Sequence, residues 1–153
     1  MKSFNASKDW LGGVPAETTA KLLTVAADVA LVLSDVREGR VRDVAFGSEE
    51  LAAEVASTWL GKPWIDTVTV ESRAKVEALL RDATAGQAPR WRLVNHPSES
   101  GTDLPILYAA VKLKDDGTVM AIGRSMRPMA ALQQQIVQAQ NSMERELAKL
   151  RQA

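Results

Sequence analysis

The one histidine in this 153-residue chain, His96, stands beside Pro97 and is the side chain best suited to hold a haem or a transition metal through a ring nitrogen. A metal site needs several converging ligands with their own supporting partners, and the chain has no cysteine to contribute a thiolate. His96 is therefore expected at the surface, at a strand end. The planar faces of Trp10, Trp59, Trp64 and Trp91 could stack on a flavin or another flat ligand. With no cysteine of the kind a light-sensing flavin domain uses and no phosphate-binding motif, core or interface packing is the expected use. The carboxylate pairs Glu49/Glu50 and Asp115/Asp116 are adjacent in sequence. Adjacency suits a helix start and a turn rather than opposed acid and base positions, so no catalytic activity, cofactor or metal is expected.

The composition narrows the partners. Nineteen Lys and Arg balance nineteen Asp and Glu, so the chain lacks the basic field of a stand-alone nucleic-acid binder. The N-terminal stretch MKSFNASKDWLGG has no hydrophobic signal region, and no apolar run approaches the roughly 20 residues of a membrane span. A cytoplasmic protein without membrane contact is expected. The length suits one domain plus an extension.

The elements that must position these residues follow from period and punctuation. Val14 to Ala27 reads as a short helix with Leu22, Leu23 and Ala26 on its apolar face. Val29 to Ser34 is a compact apolar run suited to a buried central strand, and Val41 to Phe46 is its hairpin partner across a loop carrying Asp35, Arg37, Glu38 and Arg40. Ser48 is a good N-cap for the following helix, with Glu49 and Glu50 at its positive end. Gly61, Pro63 and Trp64 break the pattern; a helix then starts at Thr69, buries Val76, Leu79 and Leu80, and ends near Gly86. Arg90 to Asn95 alternates as a strand with Trp91 and Leu93 set against Arg90 and Arg92. Leu104 to Leu113 and Val119 to Gly123 form a hairpin closed by Asp115, Asp116 and Gly117. This order predicts an α+β fold with one antiparallel sheet and its helices gathered on one face.

After Pro128 a helical pattern runs without glycine or further proline. Its apolar side chains fall at Met129, Leu132, Ile136, Ala139, Met143, Leu147 and Leu150, while glutamines and charges fill the rest. So thin a stripe suits one partner helix, and the same helix of a second copy is the expected partner, giving a homodimer or higher homo-oligomer. The four-residue step from Met143 to Leu147 interrupts the heptads like a stutter, and alanine and methionine in the seam make it soft.

The segment from Thr58 to Gly86, TWLGKPWIDTVTVESRAKVEALLRDATAG, resembles the PAS domain, with Gly61, Pro63, Trp64, Glu71, Arg73 and Val76 matching its pattern. The resemblance implies a five-stranded antiparallel sheet in the order 2-1-5-4-3 with flanking helices. ETTAKLLTVAADVALVLS near the start and GRSMRPMAALQQQIVQAQNSMER near the end resemble the N-terminal PAS domain and glutamine-rich linker of the PpsR/CrtJ regulators, aerobic repressors of photosynthesis genes in purple bacteria. The implied division is an N-terminal segment and helix over 1–27, a PAS domain over 28–127 and a linker helix over 128–153. In such a regulator DNA is bound only by a C-terminal helix-turn-helix absent from this chain, and an antirepressor-type protein is a compatible partner. PAS domains often couple sheet to helix through an aspartate in the junction; here Ser125 stands between Arg124 and Met126, leaving Arg124, Ser125, Arg127 and Pro128 as the junction residues. Input domains of sensor histidine kinases or cyclases, and small-molecule PAS sensors, share this layout and are the alternatives. Apolar sheet surface left uncovered by helices would be a further protein interface.

Overall fold

A computed structural model describes residues 15–34, 39–98 and 101–152. Trp10, Val14, Asp35, Arg37 and Glu38 lie outside the described residues. The elements in order are α1 (Ala16–Ala26), β1 (Val29–Ser34), β2 (Arg40–Phe46), α2 (Glu49–Trp59), two 3-10 turns (Trp64–Thr67 and Val70–Ser72), α3 (Arg73–Thr84), β3 (Arg92–His96), β4 (Leu104–Lys112), β5 (Val119–Ser125) and α4 (Arg127–Gln152). The strands form one antiparallel sheet in the order β2-β1-β5-β4-β3. No helix among the described residues is long and apolar enough to cross a membrane.

The interior lies against one face of this sheet. Val29, Leu31 and Leu33 of β1, Ile106, Tyr108 and Ala110 of β4, and Val119 and Ala121 of β5 point into it, as period-two alternation requires. Leu51 and Trp59 of α2, Trp64 and Val68, and Val76, Leu79 and Ala83 of α3 close over them. Ser48 caps α2 as expected, its Oγ accepting from the Leu51 N–H at 3.2 Å. The α3 helix begins at Arg73, after the Val70–Ser72 turn, rather than at Thr69. α1 is on the opposite sheet face, so the helices are not all gathered on one side. Its Thr19 and Leu23 border a groove of about 350 Å³ with Ala30, Val32 and Met120, the outward residues of β1 and β5.

The phase of β3 is the reverse of the expected one. Arg92, Val94 and His96 face inward or along the rim, with Val94 and His96 fully buried, whereas Trp91 and Leu93 are on the outer face and exposed. Two partners make this possible. Asp82 of α3 pairs with Arg92 at 3.3 Å, so that a guanidinium is tolerated at the inner rim. On the outer face Arg124 lies over the Trp91 ring, 5.6 Å from its centroid, which covers part of the indole by a cation–π contact.

Gly123 in β5 marks the tightest point of the sheet. A Cβ there would come within 2.6 Å of Ile106 Cγ2 and 2.8 Å of Tyr108 Cε1 and Val29 Cγ1. Those side chains lean on bare backbone on either side of the strand, so none can withdraw without disturbing the interior. Gly123→Ala is expected to destabilise the domain by about 2–3 kcal/mol through overpacking. Urea titration with tryptophan fluorescence measures this, and a loss below about 0.5 kcal/mol would show that the contact is not tight.

Candidate functional site

Sheet and long helix meet with one residue between them, Met126. Its N–H donates to the Pro105 carbonyl at 2.8 Å and its carbonyl accepts the Ala130 N–H at 2.9 Å, so the same residue closes the sheet ladder and opens the helix. Pro128 is the second residue of α4 rather than the first, within the usual latitude of a helix boundary. The Arg127 N–H reaches the Ser125 hydroxyl at 3.3 Å.

An aspartate does hold this junction, but it comes from the other end of the domain. The Asp28 carboxylate accepts the Ser125 N–H at 2.7 Å, and the Asp28 N–H donates to the Gly123 carbonyl at 2.9 Å. The Asp28 carbonyl takes the Gly47 N–H at 2.7 Å. One residue, directly after α1 and its C-cap Ala27, thus ties the start of β1 to the ends of β2 and β5. A cleft of about 310 Å³ opens beside it, lined by Asp28, Ser48, Glu50, Leu51, Ser125, Arg127, Pro128 and Ala131. Of the four junction residues expected from the sequence, Ser125, Arg127 and Pro128 border this cleft. Arg124 points away, over Trp91.

The apolar stripe on α4 is left largely uncovered by the described residues. Met129, Leu132, Ile136, Met143, Leu147 and Leu150 are each at least 50% exposed, Ala139 is exposed, and α4 contains no buried residue.

His96 is not the surface residue its neighbours Pro97 and Ser98 suggest. It is the last residue of β3 and fully buried, its ring stacked on Trp59 with centroids 4.2 Å apart. Nδ1 lies 2.7 Å from the Thr67 carbonyl, which can only accept, so Nδ1 carries the proton and Nε2 accepts from the Tyr108 hydroxyl at 2.8 Å. Both ring nitrogens are thereby engaged with protein atoms. Trp64 and Tyr108 pack edge to face with ring centroids 5.1 Å apart. Trp59 and Trp64 are core residues, and Trp91 faces outward. Among the described residues no three His, Cys, Asp or Glu side chains converge as metal ligands.

Sequence and structural comparisons agree with this architecture. A family model described as the PAS fold matches residues 23–139. The chain belongs to the PAS family. It is also 34% identical over 146 residues to Protein CrtJ of Rhodobacter capsulatus, covering 94% of this chain and 30% of that protein's length. The chain therefore spans about a third of the curated relative it matches. Among solved structures it resembles a domain of a sensory box sensor histidine kinase/response regulator from Geobacter sulfurreducens, with a TM-score of 0.53 and 20% identity over 71% of this chain and 92% of that one. It likewise resembles the PAS domain of an HTR-like protein from Haloarcula marismortui, with a TM-score of 0.51 and 17% identity over the same shares of the two chains. These two likenesses establish the fold.

Two features of the site escaped sequence reasoning. Asp28 directly precedes the apolar run of β1, and nothing in the neighbouring residues marks its carboxylate as a partner for the far end of the domain. The Thr67–His96–Tyr108 chain left no local signal, because its members are far apart in sequence.

Burial pushes the His96 imidazole from 6.5 down to about 4, against a smaller opposing pull from the Thr67 carbonyl. A histidine held neutral stabilises the fold fully above the ordinary value of 6.5, and that contribution is lost as the pH falls from there towards about 4. Stability is thus expected to decline over this window by at most roughly 3 kcal/mol from this residue. His96→Gln, whose amide can donate to Thr67 and accept from Tyr108, should flatten the decline. Melting curves at half-unit pH steps measure it, and equal slopes in the two proteins would remove His96 as the cause.

Proposed function

We propose that this chain is the dimerising and signal-relaying PAS module of a DNA-binding transcriptional regulator of the CrtJ type, a photosynthesis-gene repressor acting in the cytoplasm. The observation that carries this reading is the exposed apolar stripe of α4, joined to β5 with no flexible linker. A helix of 26 residues whose apolar stripe is exposed among the described residues calls for a partner, and its narrow width fits one like helix. The similarity to Protein CrtJ over nearly the whole chain supplies the biological setting. DNA would be read by a helix-turn-helix outside this balanced, non-basic chain. No catalytic role is assigned to any residue. The exposed Leu93, Val111 and Leu113 on the outer sheet face offer a second surface for a further copy or an antirepressor-type protein.

Relay in this reading runs through Asp28. Whatever moves α1 or the outer face moves the residue that follows α1, and that residue holds the amide of Ser125, two positions before α4. Two arrangements of this contact would give the helix two directions, the kind of bistable element that switching requires.

Two measurements test the proposal. In sedimentation equilibrium the chain should be a dimer, and Ile136→Glu should render it monomeric by placing a charge in the seam. A monomer for the unaltered chain would sink the dimer reading. Asp28→Ala should cost about 1–2 kcal/mol and speed hydrogen exchange at Ser125 and in the first turn of α4. Unchanged exchange there would show that the aspartate does not hold the helix.

A further inference from the structure

We infer that the stripe of α4 is built for a second copy of this chain lying parallel and in register, and that Glu146 and Arg151 are the residues that select this arrangement. The inference rests on the dimer reading above and adds direction, register and the residues that set them.

The four-residue step in the stripe is the key. Unbroken heptads after Ile136, Ala139 and Met143 would bring Glu146 into the seam, where a carboxylate would be desolvated against its own copy. The step instead moves the seam to Leu147 and Leu150 and turns Glu146 onto one flank. Arg151 follows Leu150 on the opposite flank. In heptad terms Glu146 takes position g and Arg151 the following position e. Parallel helices in register bring position g of one chain beside the position e five residues further along the other. Glu146 therefore meets Arg151 of the second copy, twice by symmetry. The same rule applied to the first half of the helix pairs Gln135 with Gln140, two amides that can exchange hydrogen bonds.

Other arrangements lack this complementarity. Antiparallel helices run past each other in opposite directions, so that with full overlap Glu146 falls near Gln133 and Arg151 near Pro128 of the other copy, and the Glu146–Arg151 pair is lost. A parallel slip of one heptad brings Glu144 opposite Glu146. The slip puts like charges together, and the antiparallel pair leaves both charges without their opposite partner. Within the protomer both side chains are exposed, and neither forms an ion pair among the described residues, so both remain available to a partner.

The test uses the full chain, whose lack of cysteine makes engineered thiols unambiguous. Met129→Cys and Leu150→Cys should each form disulfide-linked homodimers on mild oxidation, and a mixture of the two should give few crossed products. Glu146→Arg and Arg151→Glu should each weaken self-association about fivefold at low salt. Mixing these two single variants should favour the heterodimer, and the double reversal should return to within about twofold of the original affinity. Crossed Met129→Cys with Leu150→Cys products, or single reversals without effect, would overturn the parallel assignment while leaving the dimer standing. A chain that stays monomeric and cross-links nowhere would overturn both.

Discussion

The contact on which the arrangement depends is the one between the Asp28 carboxylate and the Ser125 amide. Without it the end of β5 would rely on ladder hydrogen bonds alone, and α4, which touches little of the domain, would hang from one residue, Met126. A carboxylate accepting a backbone N–H is a charge-assisted bond, stronger and more directional than a neutral one. Because the same Asp28 also bonds Gly123 and Gly47, its side chain is held in place by the sheet that it closes. N-terminal helix, sheet and C-terminal helix share one anchor.

The interior behind that anchor is polar where an apolar one would have been simpler. Thr67, His96 and Tyr108 form a continuous hydrogen-bonded chain from the 3-10 turn to β3 and β4, walled by Trp59 and Trp64. Such a chain accepts one geometry well and others poorly, since a broken link leaves a buried polar group unpaired. It therefore fixes the helical layer against the sheet more specifically than aliphatic side chains would. Gly123 does the same from the other side, letting Val29, Ile106 and Tyr108 close over bare backbone.

How much of this was legible depended on sequence distance. The β1 run, the Ser48 cap, the turn at Asp115 to Gly117 and the α4 stripe are written in neighbouring residues, and each was readable. The phase of β3 was not, because an arginine or a histidine can face inward only if a partner waits there, and those partners are Asp82 on α3 and Thr67 and Tyr108 on other elements. Trp91 and Leu93 looked like the buried side until Arg92 and His96 had somewhere to go. The Asp28 contact spans 97 positions, beyond any local pattern. The family resemblance led to the right sheet order, yet its usual place for an aspartate pointed at Ser125, which turns out to be the group that the aspartate holds.

The length of α4 gives the small dimensions of the junction a mechanical meaning. At 1.5 Å per residue its 26 residues make a rod of about 39 Å, held to the described sheet at its N-terminal end. A tilt of about 5° at the Asp28 anchor, no more than the give of one hydrogen bond, would carry the tip sideways by about 3 Å. That displacement approaches half the spacing between packed helices, so an adjustment too slight to disturb the sheet would be gross misalignment at the far end.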